Sequence, residues 1–175
     1  MPAEIRSVET VENPVELKEL VRAYLAHELS ELHAVSGIRL DLEELVSTTF
    51  DHVDEYLPPQ GRLHLATNAD AQLIGCVFLK MIRPDAAEVK RLYVRPAARG
   101  TGLGRKLMTG ILADARSLGA TCVLLDTGVY DTAAQALYGK LGFREIDYYP
   151  EGENDPMFAP YLCYMQLDFG PPNLR

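Results

Sequence analysis

Cysteine is scarce in this chain and long apolar runs are missing. The three cysteines, Cys76, Cys122 and Cys163, share no close spacing, and each sits in an apolar, strand-like run. That pattern argues against a metal site or a catalytic thiol and reads as buried free thiols in a reducing compartment. His27 and His33, six apart, do not suggest zinc either. No stretch approaches the ~20 apolar residues that span a bilayer, and the N-terminal MPAEIRSVET lacks a signal-peptide core. A cytoplasmic protein without a membrane partner is expected. Basic charge is also in deficit: 17 Lys and Arg against 25 Asp and Glu give a formal net charge of -8 and a pI near 5.0. That balance argues against nucleic acid as a partner. It suits a cationic small molecule, although acidity also serves solubility alone. Linkers, repeats and low-complexity segments are absent. The 175 residues, 47% hydrophobic, are read as one domain spanning 1–175, with its core in about 4–168 and a loose tail at 169–175.

What the chain does have is concentrated in residues 89–118, VKRLYVRPAARGTGLGRKLMTGILADARSL. Val89, Arg91 and Tyr93 alternate with Lys90, Leu92 and Val94, which predicts a strand. Leu103, Leu107, Ile111, Ala115 and Leu118 then recur at intervals of three and four, which predicts a helix with one apolar face. Between them lie Gly100, Gly102 and Gly104. The first N–H groups of a helix have no internal partner and carry the positive end of its dipole. Glycines let a ligand approach that end closely, and Arg99 and Arg105 add charge at the rim, so a phosphate or pyrophosphate is the expected guest.

An ordinary strand-to-helix turn is the plain alternative. A P-loop is excluded, because Lys106 is followed by Leu107 where Ser or Thr is required. A dinucleotide fingerprint has its acidic residue in Asp126. However, the third glycine falls one place early at Gly104, and an alternating strand does not suit a buried parallel sheet.

The remaining elements follow from local signals. A short strand is expected at 4–8. A helix then starts with Asn13 as N-cap, Pro14 at its first position and Glu16 as capping partner, burying Leu17, Leu20, Val21, Tyr24 and Leu25. Residues 30–40, with Gly37 at their centre, read as a connection. A second helix from Asp41, paired with Glu44, buries Leu42, Leu45, Val46, Phe50 and Val53. Residues 62–66 and 72–79 pair around Asn68-Ala69-Asp70, and Arg83-Pro84-Asp85 turns into the strand described above. Gly119 ends the glycine helix, 122–126 form a strand, and 132–141 form a helix stopped by Gly142. Residues 143–148 and 161–167 form a closing hairpin, joined by a long polar loop at 149–160.

Arg99-x-x-Gly102-x-Gly104, a preceding strand ending in Leu92-Tyr93-Val94, and a later helix ending in ALYGKLGF (136–143) together resemble the GNAT acetyltransferase superfamily. The resemblance is strong over 88–148 and elsewhere lies in the order of elements. Composition alone gives α/β or α+β. The resemblance implies the order βααβββαβαββ, with helices on both faces of a mixed sheet that splays between the strand of Leu92 and the strand of Asp126.

It further implies acetyl-CoA as co-substrate, no metal, and an amine acceptor. The main chain of Leu92, Tyr93 and Val94 would pair with the pantetheine arm, and Gly100, Thr101, Gly102, Leu103, Gly104 and Arg105, with Arg99, would hold the pyrophosphate. Tyr138 stands where relatives carry the acid that protonates the leaving thiolate. Glu88, or alternatively Asp126, stands where some carry the base, and either can instead pair with Lys90, Arg91 or Arg144. Glu28, Glu31, His33 and Asp41, near the N-terminal helices, are acceptor-reading candidates or solvated surface residues. The loop at 149–160 would cover the acceptor side. One departure stands out: where many relatives carry asparagine seven residues before the tyrosine, this chain has Asp131, so that cofactor contact is either missing or made by Thr132 or Thr127.

Three activities are therefore open: acetylation of a small-molecule amine through a ternary complex, acetylation of a protein N-terminus or lysine, and non-catalytic acyl-CoA binding. The assembly is expected to be a monomer or homodimer.

Overall fold

A computed structural model describes residues 3–152 and 154–170. Seven strands form one sheet: β1 (Glu4–Val8), β2 (Gly61–Thr67), β3 (Leu73–Arg83), β4 (Ala86–Val94), β5 (Cys122–Gly128), β6 (Arg144–Ile146) and β7 (Leu162–Asp168). Their spatial order is β1-β2-β3-β4-β5-β7-β6. Every pairing is antiparallel except β4 with β5. Helices α1 (Pro14–Ser36) and α2 (Leu42–Asp51) lie on one face, where Leu17, Leu20 and Val21 meet Leu63, Leu65 and Phe78. Helices α3 (Leu103–Ser117) and α4 (Thr132–Lys140) lie on the other, where Leu107, Met108 and Ile111 meet Val77, Leu79 and Val89. The expected mixed sheet, element order and two-faced packing are thus observed. Among the described residues, no helix is long and apolar enough to cross a membrane.

Four local expectations are revised. Helix α1 does not stop near residue 30. Nothing between Ser30 and Ser36 breaks a helix, so it continues until Gly37 adopts φ 73 and returns its N–H to the carbonyl of His33 at 2.8 Å. Glu28, Glu31 and His33 therefore stand on a helix. In β4 the strict alternation fails at Arg91, whose φ is 52. The register with β3 slips there, so Val89 packs with the α3 side while Tyr93 packs with the α1 side. In α2 only Val46 and Thr49 are buried, leaving Leu42, Leu45 and Phe50 half-buried beside the open end of the sheet. Cys163 is likewise half-buried, because β7 pairs only with short β6 on that side, whereas Cys76 and Cys122 are buried as expected. Of the expected loose tail, 171–175 lie outside the described residues, as does Glu153 in the long loop.

Helix ends place the later elements. At α4, Gly142 (φ 96) bonds to the carbonyl of Gly139, and Phe143 bonds to that of Tyr138, both at 3.0 Å. Phe143 then packs its ring 5.8 Å from the Tyr138 ring, the apolar contact that accompanies such a terminus. A side chain at residue 142 would have to adopt the left-handed conformation and press on Leu167 at 3.3 Å. Gly142→Ala is expected to destabilise the fold by about 1–2 kcal/mol, read as a lower denaturant midpoint at unchanged m-value.

Candidate functional site at the divergence of two strands

Strands β4 and β5 pair over only three rungs, Ala86 with Cys122, Ala87 with Val123 and Glu88 with Leu124. Beyond Glu88 they separate. At the start of the gap the Lys90 ammonium donates to Asp126 Oδ2 at 2.7 Å, both groups about nine-tenths buried. The bulge then turns Arg91 toward the α1 face, where it donates to the Tyr56 hydroxyl at 3.1 Å and to Thr49 Oγ1 at 3.0 Å, lying over the Tyr56 and Phe78 rings. Residues 92–94 continue along the gap, bonded on one edge to β3 and, among the described residues, facing no strand on the other.

The glycine turn follows. Arg95 donates to the Leu73 carbonyl and Arg99 to that of Val94, which ties the turn to the sheet. Gly100 and Gly102 have φ of 76 and 80, and space is open around both, so conformation rather than crowding requires glycine there. Gly102 starts α3 without any side-chain cap. The first amides of the helix are left to an outside acceptor, with Arg99 and Arg105 exposed beside them. Gly104 is needed less stringently: a methyl there would touch Leu137 at 3.6 Å, ordinary contact.

On the α1 face the divergence opens into a cavity of about 390 Å³, within the range of small-molecule sites. Its walls are Tyr24, Leu25, Glu28, Leu29 and Leu32 of α1, Leu45, Thr48 and Thr49 of α2, residues 89–92 of β4, and Asp126, Thr127, Gly128, Tyr130 and Asp131 with Tyr138. Asn154, Asp155, Phe158 and Leu162 close one side. The acids Glu28, Asp126, Asp131 and Asp155 outnumber the cations Lys90 and Arg91 on an otherwise largely apolar surface.

Leu92, Asp126, Asp131, Tyr138 and Glu28 thus meet around one cavity. Tyr138 is buried, and loss of solvent, reinforced by Asp131, Asp126 and Glu28, pushes its hydroxyl well above the ordinary tyrosine value. Glu28 carries the most informative shift. Burial, then the Asp131 charge, raise it to about 7 against an opposing hydrogen bond from Tyr130. The Tyr130 hydroxyl lies 3.2 Å from Glu28 Oε2 and 3.3 Å from its carbonyl oxygen. Asp131 caps α4, its Oδ1 accepting from the Ala134 amide at 2.9 Å, and Thr132 is the first residue of that helix. Capping gives this side chain a structural role that aspartate and asparagine fill equally.

Other expected residues are brought elsewhere. Glu88 is fully buried and does not line the cavity: the Tyr149 hydroxyl donates to its Oε1 at 2.8 Å, and the Lys90 ammonium is 3.8 Å away. Neither Glu31 nor His33 lines the cavity, and His33 Nδ1 lies 3.1 Å from the Ile38 carbonyl at the end of α1. Asp41 caps α2 by accepting from the Glu44 amide. Among the described residues, no group of three or more His, Cys, Asp or Glu is placed to hold a metal.

Sequence reasoning missed Tyr130 and Tyr149, while Lys90, offered there as a pairing partner for Glu88 or Asp126, holds Asp126. Only Tyr130 left a trace: a methyl on Gly128 would overlap its ring, so the glycine in Gly128-Val129-Tyr130 records a side chain folded back on its own backbone.

Residues 26–143 match the sequence profile described as the acetyltransferase (GNAT) family. The chain belongs to this family. Its GNAT relatives include an uncharacterized N-acetyltransferase of Schizosaccharomyces pombe, 30% identical over 166 residues that cover 93% of this chain and 94% of that protein. Another, the uncharacterized N-acetyltransferase YjgM of Escherichia coli, is 41% identical over 128 residues, 71% of this chain and 77% of its own. In fold, the chain is similar to the PaiA N-acetyltransferase of Thermoplasma acidophilum in complex with coenzyme A. The TM-score is 0.68 at 21% identity, covering 97% of this chain and 100% of that one. As a GNAT protein it is an acyltransferase of the N-acetyltransferase class.

The Tyr149 cover over Glu88 is open to a direct check. Tyr149→Phe removes a donor from a fully buried carboxylate and is expected to lower stability by about 1–3 kcal/mol at neutral pH. Chemical denaturation that shows no change would mean the bond contributes nothing.

Proposed function

We propose that this protein transfers the acetyl group of acetyl-CoA directly, within a ternary complex, to the primary amine of a small molecule that carries an apolar body. The observation that supports this most is the cavity itself. Apolar walls from α1 and α2, a surplus of carboxylates, and the Tyr138 hydroxyl surround one volume at the strand divergence, and Asn154, Asp155, Phe158 and Leu162 screen one side of it. A screened cavity of this size favours a small acceptor over a protein N-terminus or lysine side chain, which needs an open groove. Free amino acids are disfavoured, since their carboxylate would enter a surface where acids outnumber cations.

The residues present fit coenzyme A. The uncapped amides at the start of α3, with Gly100 and Gly102 at positive φ and Arg99, Thr101 and Arg105 beside them, would hold its pyrophosphate. The unpaired edge of Leu92, Tyr93 and Val94 would take the amides of its pantetheine arm and give a donor to the acetyl oxygen. Asp131 is committed to capping α4, so Thr127 or Thr132 would supply any contact on that side. Acetyl-CoA brings an activated acyl group; the protein brings orientation and proton transfer.

Tyr138 would give its proton to the departing sulfur. A phenol whose pKa is raised by burial stays protonated until the thiolate forms, and the same dry surroundings raise the thiol it must protonate. Tyr138→Phe is expected to lower kcat by about 10- to 10⁴-fold, while coenzyme A affinity by calorimetry stays within about threefold. Turnover as fast as in the wild type would remove Tyr138 from the chemistry. The reading as a whole is tested by thiol release from acetyl-CoA with 2-phenylethylamine, n-hexylamine, spermidine, leucinamide and leucine. Release is expected with the amines and at least tenfold more slowly with leucine. Coenzyme A binding without release from any of them would instead support a non-catalytic acyl-CoA-binding protein.

A further inference from the structure

We propose that Glu28 is the base that takes a proton from the acceptor ammonium, an assignment that rests on the acetyl transfer proposed above. The argument begins with the other carboxylates of the site. Glu88 is sealed beneath Tyr149 and does not reach the cavity. Asp126 is held by the Lys90 ammonium at 2.7 Å. Asp131 accepts the Ala134 amide, and Asp155 accepts that of Met157 at 2.8 Å. Each of these three lining acids already serves a cation or a helix end.

Glu28 does neither. It projects from the cavity-facing stripe of α1, between Leu25, Leu29 and Leu32. Tyr130, 102 residues away in sequence, fixes one oxygen by donating to Oε2. Among the described residues no donor meets Oε1. A carboxylate with one oxygen held and the other free, set in an apolar wall beside Tyr138, has the arrangement a general base needs.

Its surroundings also set its proton affinity in a useful range. Burial and the Asp131 charge raise it, Tyr130 lowers it, and Asp126 and Glu31 add smaller upward contributions, leaving it at about 7. Tyr24 and Tyr138, beside it, are themselves raised and stay neutral, and the cations on the opposite wall are Lys90 and Arg91. A base poised near neutrality is half-ionised where it must work, yet holds a proton more strongly than an exposed carboxylate.

The proton balance closes on these residues. The acceptor nitrogen enters with three protons and leaves, as an amide, with one. Glu28 takes the first, which frees the lone pair to form the C–N bond. As the C–S bond breaks, Tyr138 gives its proton to the sulfur, and the second nitrogen proton restores Tyr138. Glu28 then returns its proton to water.

The test is kcat against pH for four proteins, using acetyl-CoA and the fastest amine of the panel above, with coenzyme A affinity and circular dichroism as controls for folding. In the wild type, the rate should rise with pH as the carboxylate ionises, with a midpoint near 7. Glu28→Gln should lose that limb and fall by about 10²- to 10⁴-fold while still binding coenzyme A. Asp131→Asn keeps the α4 cap but removes a like charge, so the limb should move to lower pH. Tyr130→Phe removes a donor to the ionised form, so the limb should move to higher pH. A merely structural glutamate would not produce opposite displacements. Glu28→Gln turnover within about threefold of the wild type with the same limb overturns the assignment but leaves the transferase reading standing. A wild-type protein silent toward every amine overturns both.

Discussion

Everything at this site depends on β4 and β5 ceasing to pair after Glu88 and Leu124. Backbone groups released from a ladder must find other partners or face solvent. The bulge at Arg91 and the ion pair between Lys90 and Asp126 make that release permanent. The bulge puts two consecutive long cations on the α1 side, and the ion pair occupies the fork where the strands part. The gap is therefore part of the folded state, with an apolar core on both sides of the sheet.

The distribution of acids around that gap follows a division of labour. Asp126 balances Lys90, Asp131 begins α4, and Asp155 begins the short turn at Pro156–Tyr161. Glu28 alone feels the others mainly as charge. Asp131, which in the sequence looks like a poor choice near a phosphorylated ligand, has two structural consequences: it starts a helix with its side chain, and it lifts the proton affinity of a carboxylate on another element.

The glycine turn, the order of elements and the two-faced packing were legible because each rests on short-range constraints. Positive φ at Gly102, Gly119 and Gly142 permits few residues besides glycine, and the stripe from Leu103 to Ala115 has one helical solution. The length of α1 was hidden because Ser30 and His33 weaken a helix without breaking one, and only Gly37 stops it. The bulge was hidden because period-two patterns carry no mark of an inserted residue when, as at Lys90 and Arg91, both side chains are long and charged. The bond from Tyr149 to Glu88 spans 61 residues and that from Lys90 to Asp126 spans 36. The charges of Lys90 and Asp126 offered that pairing without singling it out, whereas nothing in the sequence marks Tyr149 as the partner of Glu88, the candidate base, which the fold covers.

The unbroken run of α1 past residue 30 has its own implication for how such a protein can change its diet. Tyr24, Leu25, Glu28, Leu29 and Leu32 fall one above another along a rigid rod anchored at Asn13 and released at Gly37. Under the proposed function, acceptor preference would rest on single side chains at fixed heights. On that reading it could drift by point replacement at Tyr24, Leu25, Leu29 and Leu32, with Glu28 retained, without insertions or deletions.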